Sequence, residues 1–98
     1  MLIDFQHEQQ KKFDVLALDI LQQPDMYLNF DCISDFYQAD WLQQFPKGTV
    51  WSVAGLDDGA EQYCIRIEYK MQFLLIDCAD NKRSVLYEKS GQQQRNNL

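Results

Sequence analysis

Tyr63-Cys-Ile-Arg-Ile-Glu-Tyr-Lys-Met-Gln-Phe-Leu-Leu-Ile76 is the stretch whose reading decides the fold. Its first seven residues alternate. Tyr63, Ile65, Ile67 and Tyr69 share one side of an extended chain, and Cys64, Arg66 and Glu68 share the other. That is a strand with one buried and one wet face. Lys70-Met71 is the expected turn. Phe73 to Ile76 is apolar on both faces and reads as a central strand. Upstream, Thr49-Val-Trp-Ser-Val-Ala54 is rich in strand-forming residues, and Gly55-Leu-Asp-Asp-Gly59 follows as a turn cluster. Downstream, Asp80-Asn81 signals another turn before a last strand, Ser84 to Glu88. Four strands at such short spacing predict an antiparallel meander.

The remainder is less decided. Ser34 offers an N-cap with Asp35 in the first turn. Tyr37, Trp41 and Phe45 then recur at helical spacing until Pro46-Lys-Gly48. The stripe also runs back through Ile33, Phe30 and Met26. Residues 25–45 are therefore either one long helix or a strand, Met26–Phe30, feeding a shorter one. Phe13, Leu16, Ala17, Ile20 and Leu21 fit a helical stripe, but Val15 and Leu18 spoil its polar face. The same segment also reads as a strand in a hairpin with Leu2–Gln6. Pro24 ends the element either way. The expected fold class is α+β: a four- or five-stranded, mostly antiparallel sheet with one or two helices packed on one face. Residues 1–89 form the single domain, and 90–98 (SGQQQRNNL) are expected to be a disordered polar tail.

The 98 residues are 46% hydrophobic, which argues against a disordered chain. The net charge of −6, nine basic groups against fifteen acidic, disfavours nucleic acid as a partner. The charge is uneven: residues 13–64 hold nine acids and only Lys47, while residues 65–98 hold six basic and four acidic groups. The acidic stretch serves either solubility or steering toward a basic partner. Cys32, Cys64 and Cys78 are odd in number and match no zinc spacing, so three reduced thiols and a cytoplasmic location are expected. The N-terminus has acids where a signal peptide needs a basic flank. The longest apolar run is four residues, against the about 20 that a membrane span needs.

Chemistry is sparse. His7 is the one histidine, and no serine sits in a G-x-S-x-G setting. The cysteines read as small buried hydrophobes. Asp31 and Asp35, or Asp77 and Asp80, are carboxylate pairs that eleven aspartates produce by chance. Asp57-Asp58-Gly59 suits a turn better than a calcium loop. Neither phosphate-binding glycine motif occurs. No catalytic, metal or cofactor-binding residue is expected, and no enzyme activity. What stands out is a surplus of aromatics. Trp41, Trp51 and Tyr69 are the candidate contacts, either with a partner, where aromatics are enriched, or around a pocket between helix and sheet.

From Gly59 to Glu88 the chain loosely resembles a family of short proteobacterial proteins, a domain of unknown function. The shared features are an acidic residue soon after Gly59, the two strands 63–69 and 73–76, and an aromatic before a closing Glu (Tyr87-Glu88). The glycine such a hairpin would carry at Met71 is missing. The resemblance implies a fold and a bacterial cytosolic setting, with no activity attached. The function expected is a non-enzymatic protein-interaction or adaptor module, sharing a sheet face or edge with a protein partner or in a homodimer. The alternative is a regulatory domain that binds a small molecule. Neither nucleic acid nor membrane is an expected partner.

Overall fold

The computed structural model describes the backbone of residues 2–28, 33–55, 62–79, 82–89 and 92–97, and the side chains of 7–28, 34–55, 63–78 and 83–89. The chain opens with a long helix, α1 (Leu2–Gln22), followed by two short ones, α2 (Pro24–Tyr27) and α3 (Ile33–Tyr37), and a 3-10 turn at Asp40–Gln44. Five strands follow: β1 (Val50–Ala54), β2 (Gln62–Tyr69), β3 (Gln72–Ala79), β4 (Lys82–Lys89) and β5 (Gln92–Asn97). They form one antiparallel sheet in chain order, β1-β2-β3-β4-β5. The fold is α+β, with β3 at the centre of the sheet.

The alternation of residues 63–69 becomes burial. Ile65, Ile67 and Tyr69 are buried, while Arg66 is exposed. The register sets Ile65 against Ile76 and Ile67 against Leu74, and sets Leu74 and Ile76 against Tyr87 and Val85. These residues make one continuous apolar face. Lys70-Met71 closes the β2–β3 hairpin with two residues. The left-handed position of that turn is Lys70, at φ 53°, rather than Met71.

α1 settles the N-terminal ambiguity in favour of a helix. Phe13, Ala17 and Ile20 are fully buried and Leu16 nearly so, whereas Val15 is 58% exposed. A strand would have put Phe13, Val15 and Ala17 on one side; only a 3.6-residue period separates Val15 from its neighbours. The physical reason is the apolar sheet face itself. α1 lies across β3, β4 and β5 and covers it. A hairpin would add strands and leave that face open to water.

Residues 25–45 form neither one helix nor a strand and a helix. α2 ends at Leu28 (ψ 30°), which is buried. α3 begins at Ile33, so Ser34 lies within its first turn rather than capping it. α3 then closes through tight i to i+3 bonds from the Gln38 and Ala39 amides, and Ala39 is extended. The break swaps the expected face: Phe36, Trp41 and Phe45 are buried, and Tyr37 is 47% exposed. The gain is a bond an unbroken helix would not make, from the Trp41 indole N–H to the Tyr27 carbonyl at 3.1 Å.

The C-terminal expectation also changes. Residues 92–97 are not a disordered tail but strand β5, in register with 84–89 of β4. Backbone pairing needs no apolar side chains, so a run of Gln, Arg and Asn can close a sheet edge that the side-chain pattern does not announce. The turn residues 56–60 and 80–81, and Phe30 and Cys32, lie outside the described residues.

Phe13 holds the two layers together. Its ring lies 4.9 Å from Phe45, 6.1 Å from Tyr69 and 6.2 Å from Tyr87, centroid to centroid. Phe13→Ala should lower unfolding free energy by about 3–5 kcal/mol in urea titrations, and Val15→Ala, two residues away, by less than about 0.5 kcal/mol. Equal effects would mean that α1 packs on the sheet through a different face.

Candidate interaction surface

The three candidate aromatics part company. Trp41 and Tyr69 are buried, and Trp51 is 41% exposed. The space between them holds other rings. Phe36 stands 6.0 Å from Trp41 and 5.3 Å from Trp51, and Phe45 stands 6.2 Å from Trp41 and 4.9 Å from Phe13. Gly48 takes the left-handed φ of 96° that favours glycine, beside the Tyr69 ring. Trp41 and Tyr69 therefore belong to a packed aromatic core, and the pocket expected between helix and sheet is occupied by side chains.

Trp51 is different because of its strand. Among the described residues β1 pairs with β2 alone, so its other side is a sheet edge. Edge strands normally carry charges, proline or bulges that block pairing with another chain. β1 is Val-Trp-Ser-Val-Ala and has none of these. Val50 is 66% exposed, and Ser52 and Ala54 are exposed as well. The Trp51 ring lies against Tyr37 at 5.3 Å, so two partly exposed aromatics form a ledge beside the free edge. The opposite edge, β5, is polar throughout and includes Arg95. Tyr37 shares a helical stripe with Trp41 and Phe45 in the sequence; the break at Gln38–Ala39 takes it off that stripe and leaves it half in water.

The second face of the sheet has no element packed on it among the described residues. Phe73, Leu75 and Leu86 lie there, each half-buried by its neighbours. The Arg66 guanidinium covers the Phe73 ring at 5.0 Å and pairs with Glu68 at 3.3 Å. A cation over the ring and flanking acids leave this face less apolar than its sequence suggests.

A polar network lies under α1. The Tyr87 hydroxyl donates to Asp14 Oδ1 at 2.8 Å, and Lys89 Nζ reaches the same oxygen at 3.3 Å. Gln72, almost fully buried, donates from Nε2 to the Tyr87 hydroxyl (3.0 Å) and to the Gln10 carbonyl (2.9 Å). Its Oε1 is buried without a partner. His7, Lys11 and Met71 complete a small cavity of about 330 Å³ at this spot. The network ties one flank of α1 to β3 and β4. It places no nucleophile beside a base: His7 is on the helix side of the sheet, and Cys64, two residues from Arg66 on β2, faces the other side. Burial, then a hydrogen bond to Asp77, pushes the Cys64 thiol from its ordinary 9.0 up to about 11. A thiol so held is protonated and unreactive at neutral pH. No group of three or more His, Cys, Asp or Glu side chains that could hold a metal occurs among the described residues. Nor is any helix there long and apolar enough to cross a membrane.

Comparison with family models, with curated proteins and with solved structures gave no match.

Three weakened acids share one consequence. Cys64 is raised by burial, Tyr87 chiefly by burial with Asp14 adding to it, and Tyr27 chiefly by its hydrogen bond to Asp19. The folded chain keeps protons that the unfolded chain releases first. Their contribution is whole below the unfolded values and is lost as pH rises through the folded ones. The urea midpoint should therefore fall between pH about 9 and about 11, and fall less in Tyr87→Phe. A midpoint that holds steady across that range would contradict this reading.

Proposed function

We propose that this chain is a non-enzymatic protein-interaction module that takes up an extended segment of a partner protein along β1. One observation carries the reading: the sheet ends on a strand with no charge, no proline and two exposed apolar side chains, flanked by the Trp51–Tyr37 ledge. Strand addition draws affinity from the edge backbone and specificity from pockets beside alternate side chains. Trp and Tyr are the residues that most often dominate such contacts. The net charge of −6 supports protein over nucleic acid as the partner. A cytosolic setting accords with reduced thiols at Cys64 and Cys78.

The test places a photo-crosslinking amino acid at Val50 of the full chain and irradiates the cells that make it. The expected result is one defined protein adduct through β1, reduced about tenfold or more by Trp51→Ala. The same group at Met71, also exposed but on the β2–β3 turn, should give no such adduct. No adduct from Val50, or the same adducts from both positions, would sink the proposal.

A further inference from the structure

α1 has a second stripe, on the side away from the sheet. Glu8, Lys11, Val15, Leu18 and Gln22 follow one another at spacings of three and four, and with Lys12 and Asp19 beside them they line a groove of about 1020 Å³. Tyr27, Gln43 and Gln44 form its far wall. In heptad terms Glu8, Val15 and Gln22 occupy one seam position, Lys11 and Leu18 the other, and Lys12 and Asp19 the flank beside them. Val15 is 58% exposed, and Leu18 beside it is half-buried at the margin of the core. Val15 and Leu18 are also the two residues that spoil an otherwise polar helix face.

We infer that this stripe is a self-association surface, on which α1 of a second copy packs antiparallel about a two-fold axis between Val15 and Leu18. The stripe is complementary to itself. In that arrangement Val15 meets Leu18 of the second copy, and Leu18 meets its Val15, so the two central layers are apolar. Lys12 then sits on the same flank as Asp19 of the second copy, and symmetry makes that ion pair twice. Lys11 meets Gln22. The parallel alternative stacks Lys11 on Lys11 and sets Asp19 against Asp14, which are like-charge contacts. Among the described residues Lys11 and Lys12 have no ion-pair partner within one chain, whereas Asp19 already accepts from the Tyr27 hydroxyl and from Gln23. Those bonds hold the Asp19 carboxylate at the groove wall and leave it room for a cation. From residue 11 to residue 22 the contact is about 17 Å long. That is small for a permanent interface, so the dimer exchanges on dilution. The surface is separate from β1, and a dimer built on it would present two β1 edges.

Analytical ultracentrifugation of the full chain over a wide concentration range tests this. The wild type should pass from monomer to dimer. Val15→Asp should abolish the dimer, and Lys12→Asp should weaken it about tenfold or more; neither side chain supports the fold, which circular dichroism and the urea midpoint should confirm. Asp19→Lys should also be monomeric. Mixed with Lys12→Asp it should form a heterodimer, because Lys12 of the one copy then faces Asp19 of the other as in the wild type, and the two substituted positions face each other with opposite charges. Should Asp19→Lys fail to fold, the Val15 and Lys12 variants still decide. A wild type that is monomeric at every concentration, or a dimer indifferent to Val15→Asp and Lys12→Asp, overturns the inference. Neither outcome touches the β1 reading, whose adduct at Val50 is measured separately.

Discussion

The packing of Phe13 between α1 and the sheet is the contact on which the other features depend. A five-stranded meander has two faces, and one of them here is a continuous field of Ile65, Ile67, Leu74, Ile76, Val85 and Tyr87. Something must cover it. Phe13 enters between Tyr69 and Tyr87 and meets Phe45 from the 3-10 turn, so one ring joins the helix, the sheet and the connecting segment. Once it is fixed, the helical period fixes the rest of α1. Asp14 comes to Tyr87 and Lys89, Val15 is carried to the side away from the sheet, and Leu18 is left half-buried at the core's margin.

That geometry separates the two surfaces to which function is assigned. The core draws in Trp41, Phe45 and Tyr69, so these aromatics are not free to line a ligand pocket. Trp51 stands at the margin, where α3 supplies only Phe36 and Tyr37 to cover it, and Tyr37 is itself half in water. β1 stays an open edge because the chain before it turns to form the core lid rather than a sixth strand. The outer stripe of α1 stays open because Tyr27, Gln43 and Gln44 stop short of it and leave a groove.

How much of this was legible in the sequence follows from the kind of information each element carries. β2 and β3 were readable because a period of two and an apolar run are side-chain signals, and burial on a sheet is a side-chain event. β5 was not, since Gln92 to Asn97 pair through the backbone and any polar sequence can do so. Residues 13–21 satisfied both periods; what decides between them is the need of a distant sheet face for a cover, which no local window contains. The Tyr37, Trp41 and Phe45 stripe misled for a related reason. The break at Gln38–Ala39 follows from the Trp41 N–H finding the Tyr27 carbonyl, a contact across fourteen positions. Of the candidate site residues, Trp51 lies at a surface and the other two in the core. Tyr37 and the uncharged character of β1 as an edge emerge only with the strand order.

The central claim is the orientation of α1: Phe13 toward the sheet, Val15 away from it. Nuclear Overhauser contacts of these two side chains test it most directly. The account predicts cross-peaks from the Phe13 ring to Tyr69, Tyr87 and Phe45, and none from the Val15 methyls to any sheet residue. Val15 methyl contacts to Leu74, Ile76 or Val85 would show the helix turned over, and would contradict it.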